Sequence, residues 1–217
     1  MKTRTKVLGL MMAAVLLVSA TIFGTMAYLT DKDTVTNAFT VGKVAITLDE
    51  ARVDPTTGKA PENAERVKAN SYKLLPGHEY DKDPTVHFAD KSEASYLFVE
   101  VKNDIAKIES EDPGYKNIAT QITETNEWNV LKDKNDNAVP GVYYKEVEAN
   151  NSGNAVDYPV FDNFTIDGSV ENTELAGYAT KTEDNKQTNI ITVTAYAVQA
   201  DGFDTASAAW TTGLGKE

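Results

Sequence analysis

The residues best equipped for chemistry are two histidines, His78 and His87, and the carboxylates around them. The run His78-Glu79-Tyr80-Asp81-Lys82 begins like H-E-x-x-H, in which two histidines one helical turn apart hold zinc and the glutamate acts as base. Lys82 occupies the place of the second histidine, and Pro76-Gly77 just upstream specifies a turn where the motif needs a helix. His87 lies between Val86 and Phe88 in a run that reads as a strand, so it is expected to be an outward polar residue. The pairs Glu109/Glu111 and Asp81/Asp83 have the residue types for acid–base work or calcium binding. No Asp-x-Asp-x-Asp-Gly loop accompanies them, however, and 33 acidic residues bring carboxylates together by chance. The chain has no cysteine, which removes thiol nucleophiles, thiolate metal sites, disulfides and a lipid-modified cysteine. No Gly-x-Ser-x-Gly elbow presents a serine. These residues assign no catalytic group, no metal and no cofactor.

The elements that position these side chains read mainly as strands. Val44, Ile46 and Leu48 alternate with Ala45 and Thr47, and Phe39 and Val41 fall on the opposite parity, with Gly42 between the two sets as a bulge. Tyr96-Leu97-Phe98-Val99-Glu100-Val101 is apolar on both faces up to Glu100, as suits a central strand covered on one side by a partner sheet. Val142-Tyr143-Tyr144 and residues 190–198 read the same way, the latter as the longest β-branched run. Turn chemistry punctuates these runs at Asp54-Pro55-Thr56-Thr57-Gly58, Pro76-Gly77, Asp112-Pro113-Gly114, Pro140-Gly141 and Asn151-Ser152-Gly153-Asn154. Short helices are expected within 117–125, near 173–179 and over 205–210, the last capped by Asp204. Residues 49–71 are polar and carry Pro55 and Pro61, so they read as a long surface loop or a short mobile helix. Residues 181–189 read as a polar hairpin loop. Many strands, frequent turns and few helices predict an all-β chain folded as an antiparallel β-sandwich.

The N-terminus carries the strongest localisation signal. Lys2, Arg4 and Lys6 precede an uncharged stretch over 7–23, which closes on Gly24-Thr25-Met26-Ala27. This is the pattern of an export signal, with Thr25 and Ala27 as the small-x-small site and the cut between Ala27 and Tyr28. The apolar run also approaches the roughly 20 residues of a spanning helix, so a retained anchor is the alternative. With 1–27 as signal peptide, 28–217 reads as a single secreted domain, since no repeat or Gly/Ser-rich linker divides it. Removing Lys2, Arg4 and Lys6 from the 21 basic residues leaves 18 against 33 acidic ones, a net charge of −15. Such a surface repels nucleic acid and anionic lipid, so no nucleic-acid partner is expected, and the membrane is met only through the signal peptide before cleavage.

Three motifs carry a family resemblance. Gly24-Thr25-Met26-Ala27-Tyr28-Leu29-Thr30-Asp31, with Asn37-Ala38-Phe39-Thr40-Val41-Gly42-Lys43-Val44 after it, resembles the N-terminal signature of the TasA and camelysin (CalY) family. These are exported proteins of Gram-positive bacteria, processed by a dedicated signal peptidase of the SipW type. Leu74-Leu75-Pro76-Gly77-His78-Glu79 is similar to the family's L-x-P-G-D turn before a strand, with His78 in place of the aspartate. The run from Val193 to Phe203 resembles the C-terminal strand of related clostridial proteins. The resemblance narrows the expected sandwich to the jelly-roll type.

It also implies a function. In TasA-like proteins the segment after the cut can leave its own subunit and complete the sheet of the next. Here that segment is 28–41, with Val35, Phe39 and Val41 as candidate anchors. Such β-augmentation takes its affinity from ladder hydrogen bonds and its specificity from alternate side chains; repeated head to tail, it gives filaments. The same segment can equally form the edge strand of its own monomer. The expected protein is a secreted structural subunit of extracellular matrix or cell-surface fibres, such as a biofilm matrix. A monomeric surface β-sandwich that binds a glycan or host protein is the second reading, and a camelysin-like metallopeptidase the third. Tyr196, Phe203 and Trp210 read as core aromatics, with a recognition loop at 199–203 as their alternative.

Overall fold

The computed structural model describes residues 30–33, 44–178 and 191–216. Within them run eleven strands: β1 (Thr30–Asp33), β2 (Ile46–Ala51), β3 (Arg66–Val67), β4 (Glu79–Asp81), β5 (Thr85–Phe88), β6 (Ser95–Asn103), β7 (Asn129–Lys132), β8 (Ala138–Val147), β9 (Val156–Pro159), β10 (Asn163–Thr165) and β11 (Ile191–Gln199). The helices are short: α1 (Ile118–Thr120), α2 (Asn172–Tyr178) and α3 (Ala206–Ala208). Asn117 caps α1 by accepting the Thr120 N–H at 2.9 Å. Thr205, one residue past the expected Asp204, caps α3 by accepting the Ala208 N–H at 3.1 Å. The all-β, antiparallel expectation holds at this level.

The strands form a five-stranded sheet in the order β1-β11-β6-β8-β7, a four-stranded sheet in the order β3-β2-β5-β9, and the pair β10-β4. The pair continues the second sheet, because Val160 N–H donates to Pro84 O at 2.9 Å and Lys82 N–H to Asp162 O at 3.0 Å across the bend.

Alternation along β6 explains how the layers meet. Leu97 and Val99 stand opposite Ala197 and Ala195 of β11, and join Ile46, Val86 and Phe88 of the second sheet in one core. Tyr96 and Phe98 stand opposite Val198 and Tyr196 on the other face. There they meet Leu131, Val142 and the C-terminal residues Ala206, Ala209 and Trp210 in a second core. β6 is thus buried on both faces, with the second sheet under one and the chain's own C-terminus over the other. Tyr196 and Trp210 are core aromatics here, with ring centroids 5.6 Å apart in an edge-to-face contact.

Two expectations are corrected. Pro140-Gly141 does not separate strands: β8 runs through it. Gly141 has φ +71°, and a Cβ there would lie 2.6 Å from Val101 O, so the glycine permits a close approach of β8 to the backbone of β6. Residues 49–71 are not a free loop. They begin as the end of β2, include β3, and are tied back by Arg52 N–H to Glu65 O at 2.8 Å and Val53 N–H to Asn70 Oδ1 at 3.0 Å. Polar composition concealed this, because the segment is held by its polar side chains.

Pro76-Gly77 forms the expected turn. Gly77 has φ +68°, His78 N–H closes on Leu75 O at 3.3 Å, and Gly77 N–H donates to Ile166 O at 3.0 Å.

Candidate functional site

The segment read as a candidate donor strand meets the described structure at the edge of the five-stranded sheet. β11 is paired with β6 along all of Ile191–Gln199. On its other side β1 covers only four positions, with Thr30 opposite Val198, Asp31 opposite Ala197, Lys32 opposite Tyr196 and Asp33 opposite Ala195. Among the described residues no strand stands beside 191–194 on that side. Ile191 and Val193 are partly buried and pack on the first core, so the β11 backbone here runs above apolar side chains. The sequence of β1, Thr-Asp-Lys-Asp, consists mostly of residues depleted in strands.

Of the residues singled out for this role, Ala27, Tyr28, Val35, Phe39, Val41 and Gly42 lie outside the described residues, as does the loop at 181–189. Among the described residues no helix is long and apolar enough to cross a membrane.

The candidate catalytic residues are dispersed. His78 precedes strand β4, and its Nε2 lies 2.9 Å from Thr57 O; Glu79 is ion-paired to Lys59 at 2.7 Å. A strand sends Tyr80 to the opposite face, and Lys82 is drawn into a buried contact of its own, so this run does not place two ligands on one helical face. The carboxylate pairs are also split. Glu109 is buried and accepts from Asn103 Nδ2 at 2.5 Å, Tyr115 Oη at 3.1 Å and Ile118 N–H at 2.9 Å, whereas Glu111 is exposed. Asp81 pairs with Lys59 at 2.9 Å, and Asp83 with Arg66 at 2.5 Å. Among the described residues no group of three or more potential ligands is placed to hold a metal ion.

His87 is on β5 as expected, but it is bound at both ring nitrogens. Nε2 lies 2.8 Å from Asp49 of β2 and Nδ1 2.6 Å from Asp157 of β9, so the ring links three adjacent strands. Burial disfavours its charged form, but the hydrogen bonds and charges of Asp49 and Asp157 outweigh burial and raise its pKa. Arg66 of β3 adds a 2.6 Å bond to Asp49. Burial would raise the Asp49 pKa, and the contacts with His87 and Arg66 reverse that, holding it below the ordinary value.

One cluster has no counterpart in the sequence reading. Glu50 of β2 and Lys82, just after β4, are 5% and 8% exposed, and Glu50 Oε2 meets Lys82 Nζ in a short contact. The other carboxylate oxygen accepts Asn70 Nδ2 at 3.0 Å, and that amide also donates to Ala51 O at 2.7 Å. The one available sign was Glu50 at the end of an alternating run. Nothing in composition ties it to positions 70 and 82, which the fold alone brings together.

No protein-family model, curated protein or solved structure matches this chain. What it does must follow from its own residues.

Proposed function

We propose that this protein is a secreted structural subunit that assembles by strand donation along β11, the donor being segment 28–41 of a neighbouring copy freed by cleavage after Ala27. The observation carrying the reading is the outer edge of β11, which among the described residues is covered at four positions, by a Thr-Asp-Lys-Asp strand. Ordering those residues costs about 1–2 kcal/mol each in backbone entropy. Each ladder bond returns a net of about 0.5–1.5 kcal/mol. The self-strand is therefore close to balance and can be exchanged. A donor in the same register sets Val35 opposite Val193, above the apolar side chains that this part of β11 contributes to the first core. The finer architecture belongs to the same proposal: one jelly-roll domain from residue 28, in which the chain crosses between sheets after β1, β5, β8 and β10. So do export through a SipW-type peptidase and a place in extracellular matrix or cell-surface fibres.

A second reading, a monomeric surface β-sandwich that binds a glycan or host protein, is favoured by β1 pairing with the β11 of its own chain. The two differ in solution size. The chain beginning at Tyr28 is compared with one beginning at Val44, by light scattering and negative-stain microscopy. Filaments from the first and folded monomers from the second support donation, and a synthetic 28–41 peptide should then cap filament growth. Folded monomers from both, across concentration, assign the chain to the monomeric reading.

A further inference from the structure

The cluster at Glu50, Asn70 and Lys82 joins three functional groups that can react with one another. Lys82 brings a primary amine, Asn70 a carboxamide, and Glu50 a carboxylate whose two oxygens touch one each. The amide oxygen of Asn70 accepts the Val53 N–H at 3.0 Å. Its carbonyl is thus polarised by a backbone donor, in the manner of an oxyanion hole. Aromatic rings wall one side of the half-buried Asn70: Tyr72 lies against Tyr80 and Phe164 with ring centroids 5.7 and 5.3 Å away, and its hydroxyl donates to Asp81 O at 3.0 Å, next to Lys82. Burial is the largest cause of the raised Tyr72 pKa, and the Glu50 charge adds to it, so the phenol belongs to the same enclosure.

A buried ion pair by itself is a weak source of stability, because desolvating two charges cancels much of their attraction. A carboxylate shared between a buried amine and an anchored amide has a further use.

We propose that this cluster forms an intramolecular isopeptide bond between Lys82 Nζ and Asn70 Cγ, with Glu50 as the proton carrier. Glu50 Oε2 removes a proton from the Lys82 ammonium, and the free amine adds to Asn70 Cγ. The negative charge that develops on Oδ1 is met by the Val53 N–H. Glu50, through the oxygen that faces Nδ2, delivers its proton to the departing nitrogen. The Cγ–Nδ2 bond breaks, the Nζ–Cγ amide forms, and the second Nζ proton leaves with ammonia as ammonium. An ammonium and a carboxamide become a secondary amide and an ammonium ion, so no oxidant, reductant or activated co-substrate is consumed. Attack needs Nζ within roughly 3–3.5 Å of Cγ, so the Lys82 side chain must turn from Glu50 toward Asn70. The bond closes the excursion between β3 and the end of β4 onto itself, giving a chain without cysteine a covalent staple. It is independent of strand donation, since it lies within one subunit and in the other sheet.

The test is the intact mass and peptide map of the folded chain beginning at Tyr28. The expected mass is below the sequence mass by one ammonia. Trypsin should fail to cut after Lys82, and a branched peptide should join Lys82 to Asn70. Glu50→Gln keeps the shape of the side chain and removes the proton carrier, so it should restore the full mass and the cut. The wild-type measurement decides the proposal even if that variant does not fold. A folded wild-type chain of full mass after prolonged incubation overturns it. So does loss of ammonia with only linear peptides, which is cyclic imide formation at Asn70-Ser71.

Discussion

Replacing Phe98 by alanine tests whether the outer face of the five-stranded sheet is a true core. Phe98 is fully buried on β6, with ring centroids 5.3 Å from Trp210 and 6.3 Å from Tyr96 and Tyr144. Its neighbour Leu97 is equally buried on the opposite face, against the second sheet. If the C-terminal segment seals the outer face, both residues are core residues. Phe98→Ala should then cost about 3–5 kcal/mol and Leu97→Ala about 2–5 kcal/mol. For a domain of this size each kcal/mol moves the melting midpoint by about 2–4 °C, so Phe98→Ala should lower it by about 6–20 °C. Denaturant titration and calorimetry of the chain beginning at Tyr28 measure both. A Phe98→Ala cost under about 1 kcal/mol, beside a full cost for Leu97→Ala, would refute the reasoning: the C-terminal segment would then leave the sheet in solution.

His87→Gln should destabilise the chain in a pH-dependent way. The raised His87 pKa means that its contribution is complete below the unfolded value of about 6.5 and is lost as pH rises through the folded value. The gap between wild type and variant should therefore shrink as pH rises above about 6.5, and a constant gap in urea titrations would sink the idea. Trp128→Phe should cost more than Trp210→Phe in the same titrations, because Trp128 Nε1 donates to Pro159 O at 2.8 Å whereas Trp210 Nε1 is buried without a partner. The difference should be about 0.5–1.5 kcal/mol, the net worth of the lost hydrogen bond. Gly58→Ala should cost more than the roughly 1–2 kcal/mol of a left-handed backbone, since the new Cβ would lie 2.2 Å from Tyr80 Cδ1 at φ +66°. A thermal midpoint equal to wild type would show that the 54–58 turn adopts another conformation.

The strands that could be read from sequence were those whose pattern is set by burial. β6 and β11 announced themselves because every residue from Tyr96 to Val99, and from Ala195 to Val198, is buried on one face or the other. The short helix within 117–125 and the Pro76-Gly77 turn were legible for a local reason, since both depend on adjacent residues. The end of β2 and all of β3 were not. Arg66 reaches Asp49 and Asp83, Asn70 reaches Glu50 and Ala51, and Lys68 reaches Leu48 O at 2.7 Å. A segment held in this way looks like solvated loop, because hydrophobic periodicity carries no trace of long-range polar bonds.

The same contrast separates the two places where the chain could act. Along β11 the apolar row was visible, and the structure adds that among the described residues its outer side is covered at four positions, which gives the proposed donation a register. At Glu50 the one sign was its place at the end of an alternating run, because the cluster is defined by proximity among positions 50, 70 and 82. In the proposed fibre subunit the two sites would divide the work. An exchangeable edge has to be weak enough to open, so the body presenting it must be held together by something else. In a cysteine-free chain the means present are two hydrophobic cores on either face of β6 and the buried polar cluster beside Tyr72. If that cluster closes covalently, the second sheet resists the pull transmitted when a neighbour draws on β11. If it remains an ion pair, the load falls on the cores alone, and Leu97→Ala should shorten filaments as well as lower stability.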